Sequence, residues 1–191
     1  MLLGVEIGLM LSVQKKNRKL VQNFPFDMVI GSVHTARETA LYDPAYFRLF
    51  SDKETAYSAY LETIYENIKE YEDFDTLGHI DYIVRSAPYE DPVLRFEDFP
   101  EILSAILRVL AEKEKSLEIN TRLFGNQNAV HALERIILQF VTEGGKTVTI
   151  GSDAHTAENV GFCLKQAYEL AIRCGVIPVY YKKRKAYPIF P

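Results

Sequence analysis

Thr147-Val148-Thr149-Ile150-Gly151-Ser152-Asp153-Ala154-His155 is a short β-branched run followed at once by a carboxylate and an imidazole. The run reads as a buried strand and the segment after it has helical periodicity, so Asp153 and His155 fall where a strand ends. Two residues apart in extended backbone, they point the same way and can approach one metal cluster. The chain repeats the arrangement: apolar runs end in Glu6, in His34, in His79 and in Glu118. Of the four histidines, three (His34, His79 and His155) close such runs.

Periodicity places strands at residues 2–7, 26–34, 75–81, 116–120, 146–150 and 176–181. Helices are expected at 12–23, 52–73, 97–115, 128–143 and 157–174. In the second helix Tyr57, Tyr60, Leu61, Ile64, Tyr65, Ile68 and Tyr71 recur at three and four residues, so its tyrosines face a core rather than a nucleic acid. Gly144-Gly145 and Gly175 read as helix stops. Residues 35–51, with Pro44, and the stretch carrying Pro88 and Pro92 read as long loops on the cleft side. Strands alternating with helices indicate a mainly parallel α/β sheet, either a barrel or an open wound sheet. In both, the carboxyl ends of the strands converge on one site. Glu6, His34, His79, Glu118, Asp153 and His155 all lie at such ends.

The 191 residues suit one domain, spanning 1–191, with 48% hydrophobic and 25% charged residues. That balance argues against disorder and against membrane insertion. The opening residues carry no basic leader, so a cytoplasmic protein is expected. A net charge of -4 gives no case for nucleic acid. Lys182-Lys183-Arg184-Lys185 reads as a solvated edge near the C-terminus. Cys163 and Cys174, placed on one helix, would lie about 16 Å apart along its axis, too far for a disulfide; free thiols in a reducing compartment follow.

Carboxylates and imidazoles from several strands suit divalent metals: a carboxylate can bridge two cations, and histidine supplies nitrogen donors to zinc, iron or manganese. There is no Gly-x-Ser-x-Gly elbow and no Walker loop. His131, on a helix, reads as a surface or partly buried residue. Arg37 and Arg122 could reach the cleft or stay on exposed loops. Asp81 could orient His79 or cap a turn.

Gly4-Val5-Glu6-Ile7-Gly8, Ile30-Gly31-Ser32-Val33-His34, Leu77-Gly78-His79-Ile80-Asp81-Tyr82-Ile83-Val84-Arg85, Leu117-Glu118-Ile119-Asn120-Thr121 and Ile150-Gly151-Ser152-Asp153-Ala154-His155 resemble, in order, the motifs of the polymerase and histidinol phosphatase (PHP) superfamily. Within it they are most similar to the histidinol-phosphate phosphatases of histidine biosynthesis. The resemblance implies a distorted (β/α)7 TIM-like barrel, of which this chain would form the last five to six βα units, and a trinuclear site for zinc, iron or manganese. By the same resemblance Glu6 is the bridging carboxylate, His34 and His79 complete one metal site with it, Asp153 serves a second metal and His155 a third. Glu6, Asp153 and His155 are then the catalytic set. Arg85 would hold the substrate phosphate, with Glu118 and Asn120 either supporting the metal ligands from behind or touching the substrate. The implied reaction hydrolyses a phosphate monoester, bound metals polarising the phosphoryl group and activating a water.

Members of the family begin with an Asp-x-His-x-His motif and carry a further histidine before the bridging glutamate, and this chain has neither. The departure implies that at most one metal is bound well and that phosphatase activity is weak or absent. It also implies an exposed apolar strand at residues 2–7 that could pair with another copy, giving a homo-oligomer. Alternatives are another phosphoesterase of the superfamily, such as a nuclease or a nucleoside monophosphate hydrolase, and a non-catalytic remnant that keeps the fold.

Overall fold

A computed structural model describes residues 1–190. Seven strands form one sheet in the order β1 (Gly4–Gly8), β2 (Met28–Ser32), β5 (Thr76–Leu77), β6 (Ser116–Asn120), β7 (Thr147–Gly151), β8 (Ile177–Lys182), β9 (Lys185–Pro188). Every pairing from β1 to β8 is parallel, and β9 returns antiparallel on β8. β3 (Thr35–Ala36) and β4 (Thr39–Ala40) make a separate small hairpin. Among the described residues β1 and β9 are the two ends of the sheet and do not pair with each other.

The helices between strands are α1 (Gln14–Asn23), α2 (Pro44–Phe47), α3 (Lys53–Glu70), α4 (Pro100–Glu112), α5 (Gln127–Thr142) and α6 (Leu164–Cys174). The stripe expected on α3 is buried except at Tyr65, which is half-buried: Tyr57, Tyr60, Leu61, Ile64 and Ile68 are at most 1% exposed, and Tyr71, the residue that ends the helix, is fully buried. Asp52 starts α3 by accepting the Thr55 amide at 2.9 Å, an N-cap that satisfies one of the free donors of the first turn. Gly175 ends α6 at φ 78°, and Gly144 follows α5 at φ 97°, left-handed positions that suit glycine.

The sheet is strongly curved. β5 and β7 are separated by β6, which in a flat sheet would set them about 9.6 Å apart, yet the hydroxyls of Thr76 and Thr149 meet at 2.9 Å. Tyr181 on β8 reaches the Ser116 hydroxyl at 2.9 Å and the Asp75 carbonyl at 3.2 Å. Side chains on the concave face therefore touch across two strands, as in the wall of a barrel.

Several expectations are corrected by long-range contacts. The strand anticipated over residues 75–81 pairs only at Thr76–Leu77, because at Gly78 the chain packs against Ser32 and Ile30 and at His79 it turns to φ 21°. The expected helix over 157–174 is broken. Ala157–Asn159 is one 3-10 turn, and α6 begins only after Cys163, whose φ of 52° interrupts the helix, so the two free thiols do not share a helix face. Residues 35–51 are not a plain loop but hold β3, β4 and α2.

The basic cluster at 182–185 is a solvated edge at Lys182, Lys183 and Lys185, which are exposed on the last hairpin of the sheet, and departs from that expectation only at the half-buried Arg184. Lys183 and Arg184, at φ 51° and 63°, form the tight turn between β8 and β9. Both donate backbone N–H groups to Asp27, at 3.0 and 2.9 Å. The Arg184 guanidinium meets Asp75 at 2.6 Å. Asp75 is 7% exposed and also accepts the Val29 amide at 2.7 Å, so the hairpin locks the amino ends of β2 and β5. Arg184→Met leaves that carboxylate without its cation. Because Arg184 is itself partly solvated, we expect a loss of roughly 2–3 kcal/mol, below the 3–5 typical of a fully buried pair, measurable as a fall in urea midpoint with unchanged slope.

Candidate metal centre and cleft

The middle of β1 and the ends of β2 and β5 bring together the first group of residues. Glu6 projects from β1, His34 follows β2, and His79 follows β5. One oxygen of Glu6 lies 3.3 Å from His34 Nε2 and 3.0 Å from His79 Nε2, and the two nitrogens are 3.2 Å apart. Three linear hydrogen bonds cannot close such a triangle, since a proton shared along one edge cannot serve the other two. The dimensions instead match one face of a tetrahedron around a zinc-sized ion, whose edges are about 3.3 Å for bonds near 2.0 Å. Among the described residues this is the group of three or more ligating side chains close enough to hold one ion.

The electrostatics agree with that reading. Hydrogen bonds from His34 first, and then from His79, hold the Glu6 carboxyl far below the usual carboxylate range. Burial works against protonating His79, but its bond to Glu6 and the charge of Glu118 outweigh burial and raise its pKa. An anionic oxygen and two convergent imidazoles present negative potential to anything that enters between them.

Glu118 stands behind this group. It is 6% exposed, accepts the His79 amide at 2.8 Å and the Asn120 side-chain amide at 3.1 Å, and burial raises its pKa. Its carboxylate thus fixes the backbone of His79 at a left-handed conformation and does not line the cleft. Gly151 on β7 permits this, because a Cβ there would come within 2.6 Å of Glu118 Oε1.

Asp153 and His155 occupy the far wall of the same cleft and do not join the Glu6 group. Asp153, at φ 48°, receives Arg85 Nη1 at 2.5 Å, and Arg85 Nη2 donates to Asn120 Oδ1 at 3.2 Å. His155 Nδ1 lies 3.7 Å from an Asp153 carboxylate oxygen. Strained backbone at His79 and Asp153, both flanking the cleft, is the kind of cost usually met at functional positions. The cleft has a volume of about 610 Å³ and is lined by Glu6, His34, Tyr82, Arg85, Ser86, Arg122, Leu123, Asp153 and His155.

Arg122 is the cleft residue that sequence left undecided. Its guanidinium donates to the Asp153 carbonyl and approaches His155 Nδ1, both at 3.1 Å. Only its place after the Glu-Ile-Asn-Thr string hinted at this. Arg37, by contrast, pairs with Glu62 at 3.2 Å and does not line this cleft. His131 is exposed on α5. Asp81 precedes the 3-10 turn Tyr82–Arg85 without a side-chain cap, and among the described residues no hydrogen bond joins it to the His79 ring.

The PHP domain model matches residues 1–122. The chain belongs to the PHP-domain family. A histidinol-phosphatase of Lactococcus lactis subsp. lactis is 36% identical to this PHP chain over 173 residues, covering 91% of the chain and 64% of the relative. A probable histidinol-phosphatase of Clostridium acetobutylicum is 32% identical over 183 residues, 96% of the chain and 71% of the relative. The crystal structure of histidinol phosphate phosphatase from Lactococcus lactis, complexed with zinc, L-histidinol and phosphate, superposes with a TM-score of 0.90 at 34% identity. The match covers 96% of this chain and 70% of that one. The PHP chain thus spans about two thirds of the length of these relatives. No helix among the described residues is long and apolar enough to cross a membrane.

Gly78 ties the fold to the site. A Cβ there would lie 2.3 Å from Ser32 Oγ and 2.8 Å from Ile30 Cγ2, so Gly78→Ala forces these β2 side chains to shift beside the chain that leads into His79. The variant should lose about 1–3 kcal/mol of stability, the range for overpacking a filled site, and bind zinc more weakly. Chemical denaturation and calorimetric zinc titration check the two effects.

Proposed function

We propose that this PHP protein is a metal-dependent phosphate monoester hydrolase that acts on L-histidinol phosphate, releasing L-histidinol and phosphate. The triangle of Glu6, His34 and His79, with edges of 3.0, 3.2 and 3.3 Å, carries the proposal. Those three residues would hold a divalent ion, and the zinc in the related Lactococcus structure favours zinc over iron or manganese. When bound, such an ion supplies Lewis acidity to the phosphoryl group and lowers the pKa of water toward neutrality.

The protein's own groups would do the rest. Arg85 and Arg122 face the cleft and would take the phosphate, a guanidinium fork matching its oxygens in pairs. Their present partners, Asp153 and His155, would then be released to face further ions or the departing alcohol. Glu118 and Asn120 would not touch substrate but hold His79, Arg85 and Arg122 in place, since their hydrogen bonds go to those residues. Two free cysteines fit a cytoplasmic setting.

Zinc titration should give one tight ion per chain, lost in Glu6→Ala and in His79→Ala. Phosphate release from L-histidinol phosphate should fall at least 100-fold in Glu6→Ala. Arg85→Ala and Arg122→Ala should mainly raise KM, by roughly 10-fold or more for a charge-assisted contact. Turnover that is indifferent to Glu6, or stronger on nucleotides or nucleic acid in a substrate panel, would overturn the assignment.

A further inference from the structure

Metal-binding histidines are normally held by a hydrogen bond from the ring nitrogen that does not face the metal, and losing that bond costs about 10–100-fold in affinity. Neither imidazole of the Glu6 group has one. His79 Nδ1 is buried without a partner. Among the described residues no hydrogen bond reaches His34 Nδ1; the bonds of that ring are made at Nε2, toward His79 and Glu6. With no protein group bonded at either Nδ1 among the described residues, packing against the ring faces is what the protein itself offers to keep the imidazoles turned toward Glu6.

Tyr82 is placed to do this. It opens the 3-10 turn Tyr82–Arg85, and its backbone N–H donates to the His79 carbonyl at 2.9 Å, which fixes its ring relative to that histidine. The ring meets His34 edge-on, with centroids 4.7 Å apart and planes at 77°. It also packs on His79, at 4.9 Å and 38°. The Arg85 guanidinium carbon lies over the same ring, 4.9 Å from its centroid. A turn of either imidazole about its Cβ–Cγ bond would swing Nε2 away from Glu6 and disturb its contact with the Tyr82 ring. Aromatic contacts at these distances, and a cation over a ring, add to what the buried area alone supplies.

We propose that Tyr82 is a positioning residue: its flat ring orients both imidazoles of the metal site and braces Arg85, in place of hydrogen bonds to Nδ1. The role belongs to the ring and not to the hydroxyl. It rests on the reading of Glu6, His34 and His79 as a cation site.

The test uses the whole chain and cobalt(II) as the probe, read by visible absorption, with calorimetric zinc titration beside it. Tyr82→Phe should bind cobalt within about 3-fold of the unsubstituted protein and with the same spectrum. Tyr82→Leu and Tyr82→Met, which fill the volume without a flat face, should bind 10–100-fold more weakly with an altered spectrum, as for the loss of an outer-shell support. Circular dichroism and thermal melting establish that each variant is folded, and Met serves should the Leu variant fail to fold. Tight binding with an unchanged spectrum in a folded Leu or Met variant would overturn the role of Tyr82. Equal losses in the Phe variant would overturn the assignment to the ring. Absence of binding in the unsubstituted protein would overturn the cation site itself, and is distinguished from the other outcomes because it needs no substitution.

Discussion

One oxygen of Glu6 faces two imidazole nitrogens at 3.0 and 3.3 Å, and this crowding of donors sets what the carboxyl end of the sheet must provide. Two imidazole N–H groups can serve the carboxylate, but the edge between the two nitrogens is then left unjoined, whereas a cation at the centre satisfies all three ligands. The fold supports the arrangement at a cost. His79 adopts a left-handed backbone, Glu118 is buried to hold its amide, and both Gly78 and Gly151 give up a side chain so that their neighbours can close in. Each concession concerns the position of one imidazole.

The opposite end of the strands is built differently. There the acidic groups are matched: Asp75 by Arg184 and the Val29 amide, Asp27 by the amides of Leu3, Lys183 and Arg184. The β8–β9 turn supplies most of these partners, and Tyr181 and Ser116 extend the contacts into the concave face. Polar groups satisfied at one end and left convergent at the other divide the molecule into a stabilising face and a reactive one, as parallel α/β folds generally do.

Charge on the far wall of the cleft is balanced internally. Asp153 holds Arg85, Arg85 holds Asn120, and Arg122 spans Asp153 and His155. The two guanidinium groups are therefore fixed before an anion arrives, which lowers the ordering cost of binding one. Any anion entering the cleft would compete with Asp153 for Arg85.

Residues near in sequence were legible from the chain alone. Alternation and apolar runs report local burial, so the strand at Ser116–Asn120, the stripe of α3 and the placing of His34 and His79 just past strand ends could be read directly, whereas Glu6 lies in the middle of β1. Ordered motifs then gave the family. Tertiary structure alone decided the contacts between segments whose meeting depends on the path of the chain: Arg184 on Asp75 across 109 positions, Arg85 on Asp153 across 68. It also decided that Cys163 breaks a helix, that Glu118 lies behind His79 rather than in the cleft, and that Tyr82 faces two imidazoles at once. The reason is physical: periodicity records which face of an element is buried, whereas an ion pair or a ring contact depends on where two elements cross, which no single element encodes.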